Sequence, residues 1–338
     1  MFELSLVELV SGYRAKYEAA LELFEQAGIR LAPTRLQAYR RTLADLASMD
    51  VSEVERIGRY DELIQTLFEV SDIVDIARLP REHLASPVGR QKLETVATGR
   101  RFAIDYAQGE HDAARDTAFE LSAAAYLHST GVFAGLSTNG GDILVRHGAC
   151  IRPAECKRLT TPNATNDQMR SIYRRLKREV KDFGLPAGIG MIDATMATRA
   201  PENVLREKTD YRIRRRGDQL FKSFVLEHRS VLQHDTRIDP AVLGIAVRMS
   251  FVAISGRSSN LRRYQTWHFL HSRKDDTPEG AVFFDLVESL GTGRVVRHQD
   301  PIPPLHDALR NFLTAEVAIP PDEPLFPQFP GVIERDDS

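Results

Sequence analysis

The sequence predicts an α/β protein in which helices flank a mixed central sheet and a helical region precedes it. Two observations lead to this prediction. In residues 1–85, apolar side chains recur at the three- and four-residue spacing of amphipathic helices. After residue 141, short apolar runs typical of strands alternate with helical stretches in the order strand, strand, helix, strand, helix, strand. That order predicts a mixed sheet with helices packed against it.

The bulk composition is that of an ordinary globular protein, with 42% hydrophobic and 27% charged residues in a chain of 338. The net charge is −2, so a nucleic-acid surface would have to be a local basic patch. The only cysteines, Cys150 and Cys156, cannot by themselves form a four-ligand zinc site, and we expect a reducing, cytoplasmic location. No apolar run approaches the ~20 residues of a membrane span, so no membrane partner is expected. No G-x-x-x-x-G-K-[ST] phosphate loop is present, so a step that needs ATP would need a separate ATPase partner.

Residues 1–85 are predicted to form three helices. The first ends at Gly28, Thr34 caps the second, and Ser52 with Glu55 forms a capping box for the third. We expect this region to pack on the rest of the chain or to form a homodimer. A DNA-gripping module is the alternative, although the segment carries no concentrated basic face.

An alanine-rich helix is predicted from Ala113 to Leu127, with Glu120 on the side expected to face the sheet. A carboxylate at a packed interface is unfavourable by several kcal/mol unless it has a partner. A cation held by acidic residues further along the chain would be such a partner. The alternative is a salt bridge at the edge of the helix.

Two adjacent strands are predicted at Asp142–Val145 and Ile151–Arg158. Residues i and i+2 of a strand project from the same face, so Glu155 and Lys157 point the same way. Asp142 opens the first strand and would lie beside them if the two strands pair as a hairpin. Two carboxylates with an adjacent ammonium group are the minimal apparatus for hydrolysis of a phosphodiester assisted by Mg²⁺ or Mn²⁺.

These residues resemble the PD-(D/E)XK nuclease superfamily, in which an acidic residue opens one strand and a (D/E)-x-K triplet lies on the next. In this chain the acidic residue is Asp142 and the triplet is Glu155-Cys156-Lys157. Phe119-Glu120-Leu121 is similar to the helical glutamate that the family often adds upstream, whereas Gly141 stands where the proline of the family name would be. The similar region runs from about Asp112 to Thr195, roughly a quarter of the chain.

The resemblance implies a restriction-endonuclease-like fold and a metal-dependent nuclease of bacterial restriction, phage defence or repair. Asp142, Glu155 and the backbone carbonyl of Cys156 are the expected ligands of Mg²⁺ or Mn²⁺, because hard cations take oxygen ligands. Lys157 is the expected catalytic cation. Glu120 is expected as an outer ligand or as a ligand of a second ion.

Two basic clusters follow the triplet. A helix capped by Asp167 and ending at Phe183 has an apolar stripe on one side and a basic face on the other. The stripe contains Met169, Ile172, Tyr173, Leu176, Val180 and Phe183, and the basic face contains Arg170, Arg174, Arg175, Lys177, Arg178 and Lys181. The second cluster contains Arg212, Arg214, Arg215 and Arg216, before a helix predicted from Asp218 to Leu232. Both clusters predict contact with nucleic acid, DNA being the expected polymer, and a merely solvated face is the alternative.

Strands predicted at Gly188–Asp193 and Val242–Ile254 complete the sheet. Helices at about 280–290 and 305–316 precede a proline-rich tail. The pair Trp267-His268 is open to two interpretations, stacking on a nucleic-acid base or packing in the core. The predicted division of the chain is a helical region at 1–85, a nuclease-like core at 86–275, and accessory helices with the tail at 276–338.

Two functions are open on these residues. The first is a metal-dependent nuclease. The second is a catalytically silent nucleic-acid-binding or assembly protein that keeps the fold and recruits a partner through its helical front and proline-rich tail. The presence of Asp142, Glu155 and Lys157 together favours the first function, because a protein that no longer catalyses a reaction has no physical need of three converging charges.

Overall fold

The computed structural model describes residues 6–46, 49, 51–101, 112–137, 142–198, 205–234, 240–255, 261–270, 278–289 and 295–296. Within this part of the chain the protein is α/β, and the predicted mixed sheet flanked by helices is confirmed. The helix predicted at 305–316 and the proline-rich tail lie outside the described residues. No helix among the described residues is both long and apolar enough to span a membrane.

The amino-terminal region is helical, as predicted. Its helices are α1 (Leu6–Gln26), α2 (Arg35–Leu46), α3 (Val51–Arg56), α4 (Tyr60–Ile76), α5 (Arg81–Ala85) and α6 (Pro87–Ala97). The prediction of one continuous third helix is wrong, because the chain turns between α3 and α4 at Gly58, whose φ is +71°. Ile57 lies in this turn and is 37% exposed.

The region that carries the candidate residues runs from a helix through a three-stranded meander to a second helix and a fourth strand. Its elements are α7 (Ala113–Ser129), β1 (Phe133–Leu136), β2 (Ile143–His147), β3 (Cys150–Arg158), α8 (Thr165–Phe183) and β4 (Gly188–Asp193). Strands β1, β2 and β3 pair antiparallel, and β4 pairs parallel to β3. The predicted hairpin of β2 and β3 is therefore confirmed, with Ile143 opposite Ala154. Strand β1 adds an edge that the sequence pattern did not predict.

The remaining elements extend the sheet on the other side of β4. They are β5 (Leu205–Glu207), α9 (Asp210–Glu227), α10 (Arg229–His234), β6 (Val242–Ser255), β7 (Leu261–Leu270), α11 (Pro278–Ser289) and β8 (Val295–Val296). The eight-stranded sheet has the order β1-β2-β3-β4-β6-β7-β8, and β5 pairs with β6 off this path. The helix predicted at Asp218–Leu232 in fact begins at Asp210 and is interrupted at His228.

Trp267 and His268 lie in β7 and belong to the core, so the base-stacking interpretation is wrong. Their exposed fractions are 3% and 2%. Trp267 stacks on Tyr126 of α7, with ring centroids 4.7 Å apart. The ring of His268 stacks on Phe221 of α9. Successive residues of a strand face opposite sides of the sheet, so this pair packs against both covering layers.

Helices cover both faces of the sheet. Against one face pack α7 and the amino-terminal helices, in an apolar core that includes Ala154 and Cys156 of β3. Against the other face pack α8 and α9, in a second core that includes Ile172 and Ile192. Because side chains alternate along a strand, Glu155 and Lys157 belong to the α8 face, whereas Cys156 belongs to the α7 face.

Helix α8 approaches β4 closely because Gly190 has no side chain. A Cβ atom at this position would lie 2.9 Å from Ile172 Cγ2 and 2.5 Å from Ile245 Cδ1, closer than real Cβ atoms approach their neighbours. Gly190 is also the register partner of Glu155 on β3. The close approach of α8 therefore places its flank over Glu155.

Candidate active site at the start of strand β2

The predicted triplet forms a compact ion pair within β3. Lys157 Nζ donates to Glu155 Oε1 at 2.7 Å and to the carbonyl oxygen of Cys156 at 2.9 Å. Glu155 is fully buried, whereas the Lys157 side chain is 18% exposed. The two charged groups therefore project from the same face, as the two-residue period of a strand predicts, and Lys157 lies on the solvent side of Glu155.

Asp142 is fixed beside the triplet by the hydrogen bonds that begin the hairpin. Its backbone N–H donates to the carbonyl of Ala154 at 3.0 Å, and its Oδ2 accepts from the backbone N–H of Cys156 at 2.7 Å. The carboxylate thus bonds to β3 just before β2 begins, where no residue of β2 faces Cys156. The structure brings Asp142, Glu155 and Lys157 together, as expected from the sequence.

Arg175 of α8 is a second cation at Glu155. Its Nη1 lies 2.8 Å from Glu155 Oε1, the oxygen that also accepts from Lys157. Sequence reasoning assigned Arg175 only to the basic face of the helix. A signal was present, because Arg175 directly precedes Leu176 of the apolar stripe and so borders the side that faces the sheet. The contact of Arg175 with Glu155 depends on how closely α8 packs over Gly190.

Glu120 of α7 forms a salt bridge, the alternative that the sequence left open for it. Its Oε2 lies 2.5 Å from Lys92 Nζ of α6, and both side chains are largely buried. Glu120 is therefore a salt-bridged residue at the α6–α7 contact, and its charge still acts on the nearby Asp142. The sequence does not predict this role of Lys92, because the pattern of α6 does not show which helix α6 packs against.

The carboxyl groups of this site favour protonation or a bound cation. Burial, reinforced by the charge of Asp142, raises the pKa of Glu155 to about 7 despite Lys157 and Arg175. Burial and Asp142 likewise raise the pKa of Glu120 to about 7. Burial alone would lower the pKa of Lys157, but the Glu155 and Asp142 carboxylates outweigh it and raise that pKa. Burial is therefore the main cause of both raised carboxyl pKa values, and the charge of Asp142 adds to it.

The residues could supply some of the ligands of one hard cation, but they do not form a complete coordination shell by themselves. Glu155 Oε2 is buried and accepts no hydrogen bond from the described residues, and such an unsatisfied acceptor is rare in folded proteins. No group of three or more His, Cys, Asp or Glu side chains within the described part of the chain is arranged to hold a metal ion. The Cys156 carbonyl already accepts from Lys157. An ion here would bind Asp142 and Glu155 and complete its shell with the carbonyl, water or substrate oxygens.

The predicted basic face of α8 is exposed, whereas the second cluster is not a continuous patch. Arg170, Arg174, Arg178 and Lys181 are all exposed on α8. Arg214, Arg215 and Arg216 lie inside α9, not before it, with the first two partly buried and only the third exposed. Successive helix residues point about 100° apart, so these three cannot share one surface. Phe183, assigned to the stripe of α8, is 50% exposed at the end of the helix.

Comparison of the chain with protein-family models, with curated proteins and with solved structures gives no match.

Proposed function

We propose that this protein is a metal-dependent nuclease that hydrolyses phosphodiester bonds, with DNA as the expected substrate. The observation that carries the proposal is the unsatisfied, buried Oε2 of Glu155 next to Asp142 and Lys157. A buried carboxylate oxygen without a donor is unfavourable by roughly 1–3 kcal/mol or more, which a bound cation would remove. If the ion pair were purely structural, there would be no reason for this oxygen to lack a hydrogen-bond donor.

The proposed roles follow from the contacts. Asp142 and Glu155 would hold Mg²⁺ or Mn²⁺, which when bound supplies an activated water and neutralises charge on the phosphoryl group. Lys157 is held by Glu155 and the Cys156 carbonyl with its ammonium at the exposed rim of the site, where it can stabilise charge that develops on phosphate oxygens. Arg175, whose side chain is 47% exposed, can contact a phosphate while it remains near Glu155.

The exposed arginines of α8 support a polyanionic substrate. Arg170, Arg174, Arg178 and Lys181 lie on the same helix as Arg175, so a nucleic-acid backbone that follows α8 would pass the candidate site. The proposal includes a restriction-endonuclease-like fold. Three features are consistent with the resemblance: an acidic residue before one strand, the triplet on its antiparallel neighbour, and a parallel strand beyond.

The test is a cleavage assay on supercoiled plasmid, linear duplex DNA, single-stranded DNA and RNA, each with Mg²⁺, Mn²⁺, Ca²⁺ or EDTA. We expect cleavage of at least one polymer with Mg²⁺ or Mn²⁺, none in EDTA, and little with Ca²⁺, whose looser shell positions water badly. Full activity in EDTA would contradict the metal-dependent mechanism. The set of polymers cut would also separate DNA from RNA as the substrate.

One observation favours the second function, a catalytically silent binding or assembly protein. Glu155 Oε1 is within ion-pair distance of both Lys157 and Arg175, so the triplet is partly neutralised without a metal. That protein would bind nucleic acid through α8 and act with a separate ATPase or defence partner. Tight binding of DNA with no cleavage under any metal condition, together with no measurable Mn²⁺ binding, would establish this alternative.

A further inference from the structure

A pocket of about 440 Å³, lined by both charged and apolar residues, lies on the α7 side of the sheet, away from the candidate active site. Helices α4 and α7 and the strands β3, β4, β6 and β7 enclose it. Arg158 lines the pocket and is three residues beyond Glu155, so the two side chains leave opposite faces of β3. Asp142, Glu155 and Lys157 do not line it. Its volume falls within the range of small-molecule sites.

Most charged groups of the pocket form ion pairs with one another. Arg248 bonds to Asp72 and Asp193, and Arg263 bonds to Asp72, in each case through side-chain nitrogen atoms 2.6–3.2 Å from carboxylate oxygens. Arg115 bonds to Glu69 in the same wall. These acids and bases neutralise one another and leave little charge for a ligand.

Arg158 is less completely paired than these groups. Its side chain is 8% exposed, and its buried Nη1 donates no hydrogen bond to a described residue. The carboxylate near it is Asp112, whose Oδ2 lies 3.5 Å from Arg158 Nη1 but accepts from Arg115 at 2.9 Å. Asp112 is within ion-pair distance and the charge of Asp193 also acts on Arg158, so the charge of the guanidinium group is compensated, but its buried Nη1 still lacks a hydrogen-bond acceptor, which is rare in folded proteins. Arg158 therefore has an open position for an anionic group.

The same pocket holds an open acceptor. Gln65 Oε1 of α4 is buried without a donor among the described residues. The partly buried ring of Phe68 adds an apolar wall, and Asp61 is exposed at the mouth. A ligand that satisfies the pocket must offer an anionic group to Arg158 and an N–H or O–H donor to Gln65.

We propose that this pocket binds a small anionic metabolite whose phosphate or carboxylate group bonds to Arg158 and whose donor group bonds to Gln65. Nucleotides carry a phosphate, N–H and O–H donors, and a flat ring that can lie against Phe68, whereas small polycarboxylates offer only the anion and a hydroxyl. The site is separate from the proposed nuclease centre, and its binding is measurable without nucleic acid or metal.

The test is calorimetric titration and thermal unfolding of the full chain in EDTA with four probes: inorganic phosphate, adenosine monophosphate, guanosine monophosphate and citrate. We expect one-to-one binding of at least one probe with a matching rise in Tm. Arg158→Gln should weaken it about 10- to 100-fold, the effect of one lost charge-assisted hydrogen bond. Arg90→Gln, an exposed arginine on α6, is the matched control and should bind as the wild type does. The probe that binds tightest identifies phosphate or carboxylate as the anion.

A second variant keeps the test decisive if Arg158→Gln folds poorly by circular dichroism. Gln65→Glu preserves the size of the side chain and adds a negative charge to the pocket, so it should also weaken binding of the same probe. The proposal is overturned if no probe binds at concentrations up to about 10 mM, well above an affinity of biological use. Binding of wild-type strength in folded Arg158→Gln, or in Gln65→Glu when the first variant is unfolded, would overturn it equally.

Discussion

Glu155 is the most deeply buried charged group of the candidate site. Its carboxyl group is fully buried, and burial with the nearby Asp142 raises its pKa to about 7. One of its oxygens faces Lys157 and Arg175, and the other has no donor among the described residues. A proton and a metal cation therefore compete for the same group, and each would relieve the repulsion between the carboxylates.

Glu155→Gln should flatten the pH dependence of stability in EDTA. A raised pKa means that the folded state holds the proton more tightly than the unfolded state, whose value is near 4.5. This contribution is fully present below about pH 4.5 and is lost as the pH rises through about 7. Glutamine imitates the protonated group at every pH. Between about pH 5 and 8 the free energy of unfolding should therefore fall less in the variant than in the wild type, by on the order of 1–3 kcal/mol. Urea denaturation measures the difference.

The matched control for this titration is Glu94→Gln, an exposed glutamate on α6. It should follow the wild-type curve across the whole pH range. Curves of identical slope for wild type, Glu94→Gln and Glu155→Gln would show that Glu155 has an ordinary pKa and is not crowded by Asp142.

Arg175→Gln should increase Mn²⁺ affinity in the absence of nucleic acid. Arg175 competes with a metal for Glu155, but its side chain is 47% exposed, so the pair contributes only about 0.2–1 kcal/mol. The expected gain by calorimetry is therefore about two- to fivefold. Arg178→Gln, on the exposed side of the same helix, should leave Mn²⁺ affinity unchanged. A loss of affinity in Arg175→Gln would mean that Arg175 orders the ligands instead of competing with the metal.

At the scale of elements, α8 links the site to the proposed substrate surface. Its buried side packs over Gly190 through Ile172, and its flank brings Arg175 to Glu155. Its outer side carries exposed arginines and lysines along the 19 residues of the helix. A polyanion bound along this helix would therefore be positioned with respect to the triplet.

Charge reversal of Arg174, Arg178 and Lys181 to glutamate should weaken DNA binding and its dependence on salt. Each lost phosphate contact should lower the slope of log K against log salt by about 0.9 on duplex DNA. The fold should survive, because all three side chains are exposed. The same reversal at Arg14, Lys16 and Arg30, which are exposed in the amino-terminal region, is the control for net charge. Equal slopes for the two triple variants would show that α8 is only a solvated face.

The sequence predicted those elements whose side-chain period is regular. The stripe of α8, the paired strands β2 and β3, and the shared face of Glu155 and Lys157 follow from periods of 3.6 and 2 residues. Strand β1 has four residues, too few to show a period. The start of α9 was missed because its cap, Thr209, which accepts from the Arg212 N–H, lies among charged residues that resemble a loop.

The rest of the site depends on tertiary packing and could not be predicted. Lys92 reaches Glu120 only because α6 packs against α7, and Arg175 reaches Glu155 only because Gly190 lets α8 approach β4. The break at Gly58 also depends on context, since an isolated glycine is tolerated within many helices. Charged partners from separate elements leave no periodic signal in the chain.

At the scale of the whole molecule, Arg248 ties the amino-terminal helices to the sheet. It lies in β6, is 2% exposed, and bonds to Asp72 of α4, Ser122 of α7 and Asp193 of β4. Its guanidinium group also lies 4.6 Å above the ring of Phe119. The helical front and the sheet are thus joined by a buried charge network as well as by apolar packing.

Arg248→Met should reduce the free energy of unfolding by about 3–5 kcal/mol, because it leaves the buried carboxylate of Asp193 without its hydrogen-bonded cation. Arg206→Met is the matched control, since Arg206 pairs with Glu55 at 3.2 Å on the surface with 61% of its side chain exposed. That variant should change stability by less than about 1 kcal/mol. Urea denaturation of both variants measures the contrast, and equal losses would mean that the buried network contributes no more than a surface pair.

The central claim, that Asp142, Glu155 and Lys157 form a metal-dependent hydrolytic centre, is tested most directly by single-turnover cleavage combined with Mn²⁺ titration. Lys157→Ala should bind Mn²⁺ nearly as wild type does yet cleave about 10² to 10³ times more slowly, as for loss of one charge-stabilising group. Glu155→Gln should lose both metal affinity and cleavage, and Lys16→Ala, an exposed lysine on α1, should lose neither. Wild-type cleavage rates in both Glu155→Gln and Lys157→Ala would contradict the claim.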